Sequence, residues 1–193
     1  MNKKLIATVA FFLLNVTSTW AREAPMTNTM KIQQRAFEQQ IGYDAALMHH
    51  VRNEVVQYDW QTVCTCPALP DWKLDKVEHT QSERGDVADE WTWYYRKSDE
   101  VIKAKVTSFR NNELASMESI AEFAFKSSMA PPPFQRGPQD IGTISVVFEA
   151  PGRYTLDWAF RNLALMADGN NKPAVLAVAH CLQTVAASHT RPR

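Results

Sequence analysis

The sequence predicts an α+β domain, an antiparallel sheet of about five strands covered by three helices. Three observations lead there. Two segments pair rows of alternating apolar residues across short turns, as hairpins do. Three other segments repeat apolar residues at helical spacing. Strands and helices do not alternate regularly, as a parallel sheet would require. The chain has 193 residues, 45% hydrophobic and 10% aromatic, enough to build a core and too much for a disordered chain. Lys and Arg together number 21 and Asp and Glu 21, so no net charge pulls the protein toward nucleic acid or anionic lipid.

In chain order, Asn2-Lys3-Lys4 precede an apolar run from Leu5 to Leu14, and Thr19-Trp20-Ala21 offers small residues where signal peptidase needs them. The run is shorter than the roughly 20 residues a membrane-spanning helix requires. Residues 1–21 therefore read as a cleavable signal peptide, and 22–193 as a single α+β domain, exported to the periplasm or secreted without a membrane anchor. Met30, Phe37, Ile41, Ala45, Met48, Val51 and Val55 make one apolar stripe, predicting a helix over 29–55 weakened by Gly42. Tyr58, Trp60, Thr62, Cys64 and Cys66 alternate as one face of a strand closed by Pro67. Trp72 to His79 is a weak strand, and Gln81 to Asp89 a charged loop.

Two hairpins follow. Alternation of Trp91, Trp93 and Tyr95 against Ile102, Ala104 and Val106 pairs Tyr95 with Ile102 and Trp93 with Ala104 around a turn at Ser98-Asp99. In the second, Ile144, Val146 and Phe148 are expected to face Trp158, Leu156 and Tyr154 around a three-residue loop, Ala150-Pro151-Gly152, with Glu149 opposite Arg153. Between them lies a helix capped by Asn112 and carrying Leu114, Met117, Ala121, Ala124 and Phe125, then a Pro-rich connection at 130–140. The last helix opens at Asn170-Asn171 and Pro173 and buries Val175, Val178, Ala179, Leu182, Val185 and Ala186, leaving Thr190 to Arg193 as a polar tail. The layout is similar to the curved sheets of cystatin-like and nuclear-transport-factor (NTF2)-like proteins. That similarity is one of architecture, since no motif ties the chain to either.

Among chemistry-bearing residues, Cys181 lies on the flank of the final helix. An oxidising compartment would bridge it to Cys66, or to Cys64, leaving one thiol. Cys64-Thr65-Cys66 as a redox dithiol lacks the helix N-terminus that lowers a thiolate pKa. Met48, His49, His50, Cys64, Cys66, His180 and Cys181 are types a soft metal accepts, but neighbours such as His49 and His50 diverge by about 100° on a helix. The same divergence keeps His180 from acting on Cys181. Asp86, Asp89 and Glu90 beside Trp91 and Trp93 suggest a sugar-cleaving pair, yet both tryptophans fit the core row. No cofactor motif, phosphate-cradling loop or nucleophile elbow is present in the sequence.

The outer face of the first hairpin remains, with Thr92, Tyr94, Arg96, Lys103 and Lys105. Tyr and Arg are enriched at protein interfaces, so Tyr94, Arg96, Lys103 and Lys105 are the expected protein-binding residues. The expectation is a non-enzymatic periplasmic protein that binds another protein, as an inhibitor or immunity factor against an envelope toxin or an accessory subunit of an envelope machine. The alternative is a thiol-redox or copper-handling protein using Cys64, Cys66 and Cys181.

Overall fold

A computed structural model of the protein describes residues 54–62, 69–81, 87–110, 115 and 134–192. Strands dominate them. They are β1 (Glu54–Val56), β2 (Lys73–Thr80), β3 (Val87–Lys97), β4 (Glu100–Phe109), β5 (Phe134–Arg136), β6 (Ile144–Ala150), β7 (Arg153–Phe160), β8 (Leu163–Gly169) and β9 (Thr190–Pro192), with one helix, α1 (Lys172–Ser188), before β9. Seven strands form one antiparallel sheet in the order β2-β3-β4-β8-β7-β6-β5, and β1 pairs with β9 in a second, two-stranded sheet.

This overturns the expected five-stranded sheet under three helices, and with it the cystatin-like or NTF2-like layout. Among the described residues the protein is mostly β with a single α-helix of more than one residue. The helix expected over 29–55 ends instead in β1, and its remainder lies outside the described residues. So does the helix expected after Asn112, apart from the buried helical residue Ala115.

Each discrepancy has a local cause. The strand expected through Tyr58 and Trp60 is a 3-10 turn at Trp60–Thr62. Asp59 Oδ1 accepts from Gln61 N at 3.1 Å, the local side-chain bond by which Asp displaces a strand ladder. Trp60 is thereby folded into the core, 6.4 Å from Trp93. Strand β8 reads Leu-Ala-Leu-Met-Ala-Asp-Gly, a helix-forming composition, but it sits between β4 and β7 and the sheet decides its conformation. Strand β5 occupies the expected Pro-rich connection, and β9 the expected tail.

The first hairpin has the expected register, with Trp91 opposite Val106, Trp93 opposite Ala104 and Tyr95 opposite Ile102. The second is shifted by one residue: Ala150 pairs with Arg153 across a two-residue turn, Glu149 with Tyr154, Val147 with Leu156 and Ser145 with Trp158. Pro151 supplies the fixed φ of the first turn position and Gly152, at φ +73°, the left-handed second. Hydrophobic alternation could not set this register, because Ile144, Ser145, Val146 and Val147 are all buried and both faces of β6 look alike.

Helix α1 lies across β7, β8 and β4. Asn171 caps it by accepting from Ala174 N at 3.1 Å, and Ala174, Val175, Val178, Ala179, Leu182 and Ala186 are buried against the sheet. The inner row beneath is small at Ala104, Ala167 and Gly169 and large at Trp93, Leu156 and Trp158, all of the large ones fully buried. A Cβ at Gly169 would come within 3.2 Å of Val175 Cγ2, so this glycine lets the helix approach the sheet. Trp158 Nε1 donates to Gln183 Oε1 of α1 at 3.1 Å, fixing the helix over the sheet.

Candidate protein-binding face

Antiparallel pairing fixes which side chains share a face. On the side away from α1, β2 presents Lys73, Lys76, Glu78 and Thr80, and β3 presents Glu90, Thr92, Tyr94 and Arg96. Strand β4 adds Lys103, Lys105 and Thr107, and β8 adds Asp168 beside Lys103. The four residues expected to bind a partner thus stand together, with Tyr94 directly opposite Lys103 and Thr92 opposite Lys105. Arg96 is exposed; Tyr94, Lys103 and Lys105 are half-buried, stems against the sheet and polar ends toward solvent.

The sequence reading missed the acids that order this face. Tyr94 OH donates to Glu78 Oε2 at 3.0 Å, Arg96 Nε to Asp75 Oδ2 at 3.1 Å, and Lys105 Nζ lies 2.7 Å from Glu90 Oε2. Lys76 pairs with Glu78, and its Nζ stands 5.7 Å from the Tyr94 ring centroid. Glu90 also accepts from Thr107 Oγ1 at 3.2 Å, and Asp168 binds Arg153 and the Thr155 hydroxyl. Opposite charges alternating across strands in this way hold long side chains in set positions. The hydrogen bonds from Lys76 and Tyr94 hold the Glu78 carboxyl below its ordinary range. Reciprocally, the bond to Glu78 raises the Tyr94 phenol and the Lys76 ammonium. The only sequence signal for Asp75 and Glu78 was the weak strand over Trp72 to His79, and Glu90 stood out only as a carboxylate beside Trp91.

The competing chemistries fare differently. Asp89 and Glu90 are successive strand residues on opposite faces: Asp89 Oδ1 meets His79 Nε2 at 2.6 Å while Glu90 turns to Lys105. They do not converge, and Asp86 lies outside the described residues. Trp93 is fully buried and Trp91 stacks on His79 at 3.9 Å between ring centroids. His180 is exposed, 3.5 Å from Asp140 Oδ2, whereas Cys181 is half-buried against the core. Among the described residues no three His, Cys, Asp or Glu side chains are grouped to hold a metal ion, and no helix is long and apolar enough to cross a membrane. His49, His50, Cys64 and Cys66 lie outside the described residues, so the bridge from Cys181 to Cys66 or Cys64 stands as a proposal.

No protein-family model and no curated protein matches the chain. A solved structure of a GTP binding regulator from Thermotoga maritima superimposes with a TM-score of 0.41 at 16% identity, covering 66% of this chain and 89% of that one. At that level the likeness carries no argument about this protein's function.

Proposed function

We propose that the protein is exported to the periplasm, or secreted, and binds another protein through the outer face of β2, β3 and β4. The reading covers an inhibitor or immunity factor directed at an envelope toxin and an accessory subunit of an envelope machine. One observation carries it: Tyr94, Arg96, Lys103 and Lys105 form a solvent-reaching aromatic and cationic cluster on the outer face of the sheet. Ion pairs to Asp75 and Glu90 preset two of these side chains, and the Tyr94 hydroxyl is held by Glu78. Side chains already held in place lose less rotamer freedom on binding, which is where such a face gains over flexible surface lysines.

The test is capture of the partner from an envelope extract by the mature chain, compared with a Tyr94→Ala/Lys103→Glu variant that keeps the wild-type melting temperature. Losing the aromatic anchor and reversing one charge should weaken capture by about 2 kcal/mol or more. Unchanged capture would remove the outer face from the binding reading.

A further inference from the structure

Strand β2, of eight residues, is one of the two edge strands of the large sheet among the described residues. Its inner-face residues Leu74 and Val77 are 37% and 39% exposed, the most exposed large hydrophobic side chains described, continuing the row of Tyr95 and Trp93. An edge of this kind accepts another strand unless its charges forbid it.

Through the middle of the strand, the charges here favour one symmetric pairing over its neighbours. A two-fold axis normal to the sheet keeps each side chain on its own face, so two copies of β2 can join only in registers centred on a residue. Centring on Lys76 sets Lys76 against its own copy, and centring on Glu78 does the same with two carboxylates. Centring on Val77 sets Lys76 against the partner's Glu78 and Glu78 against the partner's Lys76, on the outer face. Val77 then meets its own copy on the inner face. The opposite charges of Lys76 and Glu78 are antisymmetric about Val77 between them. A bulge between Leu74 and Lys76 bends the strand at the far side and limits the pairing to this short segment.

We infer that the protein forms a symmetric homodimer by antiparallel pairing of β2 with β2 of a second copy, centred on Val77. The two large sheets become one continuous sheet, the exposed valines cover each other, and the two Tyr94 faces stand side by side on the same surface. This goes beyond the binding face itself, and its failure would leave that face standing.

Sedimentation equilibrium over a range of protein concentrations tests it, using three chains: the wild type, Lys76→Glu and Glu78→Lys. The wild type should approach twice the chain mass. Each single variant replaces two attractive cross-strand pairs with two repulsive ones and should dissociate at least about tenfold more readily. An equimolar mixture of the two variants restores opposite charges at both positions and should recover the dimer. A wild type of single-chain mass throughout, single variants that dimerise as the wild type does, or a mixture that stays monomeric would each overturn the inference.

Discussion

Asn162 is 7% exposed and spends both ends of its amide on main chain. Its Oδ1 accepts from Val56 N at 2.7 Å, its Nδ2 donates to Phe109 O at 3.2 Å, and its own carbonyl accepts from Phe109 N at 2.8 Å. One side chain in the β7–β8 turn therefore ties the small sheet to the end of β4. Nothing in the sequence marks it, because its partners lie 106 and 53 residues away. Asn162→Ala should cost about 2–4 kcal/mol in urea unfolding, since a buried N–H and a buried carbonyl both lose their partner. Hydrogen exchange at the Val56 amide should speed up in the same variant; a loss under about 0.5 kcal/mol, the scale of an ordinary surface change, would show that β1 does not depend on this tie. The residues proposed to bind a partner show the opposite case. Tyr94, Arg96, Lys103 and Lys105 were legible because a one-residue slip would have buried two lysines, whereas Asp75, Glu78 and Asp168 reach them only through nonlocal strand pairing.

The two hairpins separate what an element's sequence decides from what its turn decides. In β3 and β4 apolar and charged residues alternate cleanly, so the hydrophobic pattern alone gives the register. In β6 and β7 both faces are buried, from Ile144 to Val147 on one strand and from Tyr154 to Ala159 on the other. There the pattern is silent, and the Pro151-Gly152 turn sets the pairing. Strand β8 was missed for a different reason: it is a central strand of helix-forming composition whose residues have no strand preference of their own. The final helix was legible in its cap, its proline and most of its buried stripe, all of them local, although Val185 is only half-buried and Ala174 joins the stripe. If the turn sets the second register, then Gly152→Ala should be costly although a Cβ there would touch nothing within 4 Å. The positive φ alone should remove about 1–2 kcal/mol, read as a lower urea midpoint with an unchanged slope. Full stability in this variant would mean that the turn tolerates another conformation and that the register is held elsewhere.

Across the whole molecule the net charge is zero, yet the charges are not scattered. On the outer face they form a ladder in which Lys76, Glu78 and Tyr94 depend on one another. The Glu78 carboxyl is held below its ordinary value of 4.5 by hydrogen bonds from Lys76 and Tyr94. A carboxyl depressed in the folded state adds stability that is present above its unfolded pKa and disappears as pH falls through the lower folded one. The Tyr94 phenol and the Lys76 ammonium are raised above 10.0 and 10.5, first by their bonds to Glu78. Groups raised in this way add stability that is complete below their unfolded pKa values and is lost as pH climbs through the folded ones. The three together should give a plateau bounded on the acid side by Glu78 and on the alkaline side by Tyr94 and Lys76. All three reach solvent, so the contribution is small and screened by salt. Thermal melts of the wild type and Glu78→Gln from acid to alkaline pH isolate it. The difference between the two curves should be largest between the carboxylate and phenol ranges and shrink toward both ends. It should also narrow as salt is raised. A difference that stays constant with pH would mean that Glu78 supports the sheet by packing alone, and that the ladder is not coupled through its protons.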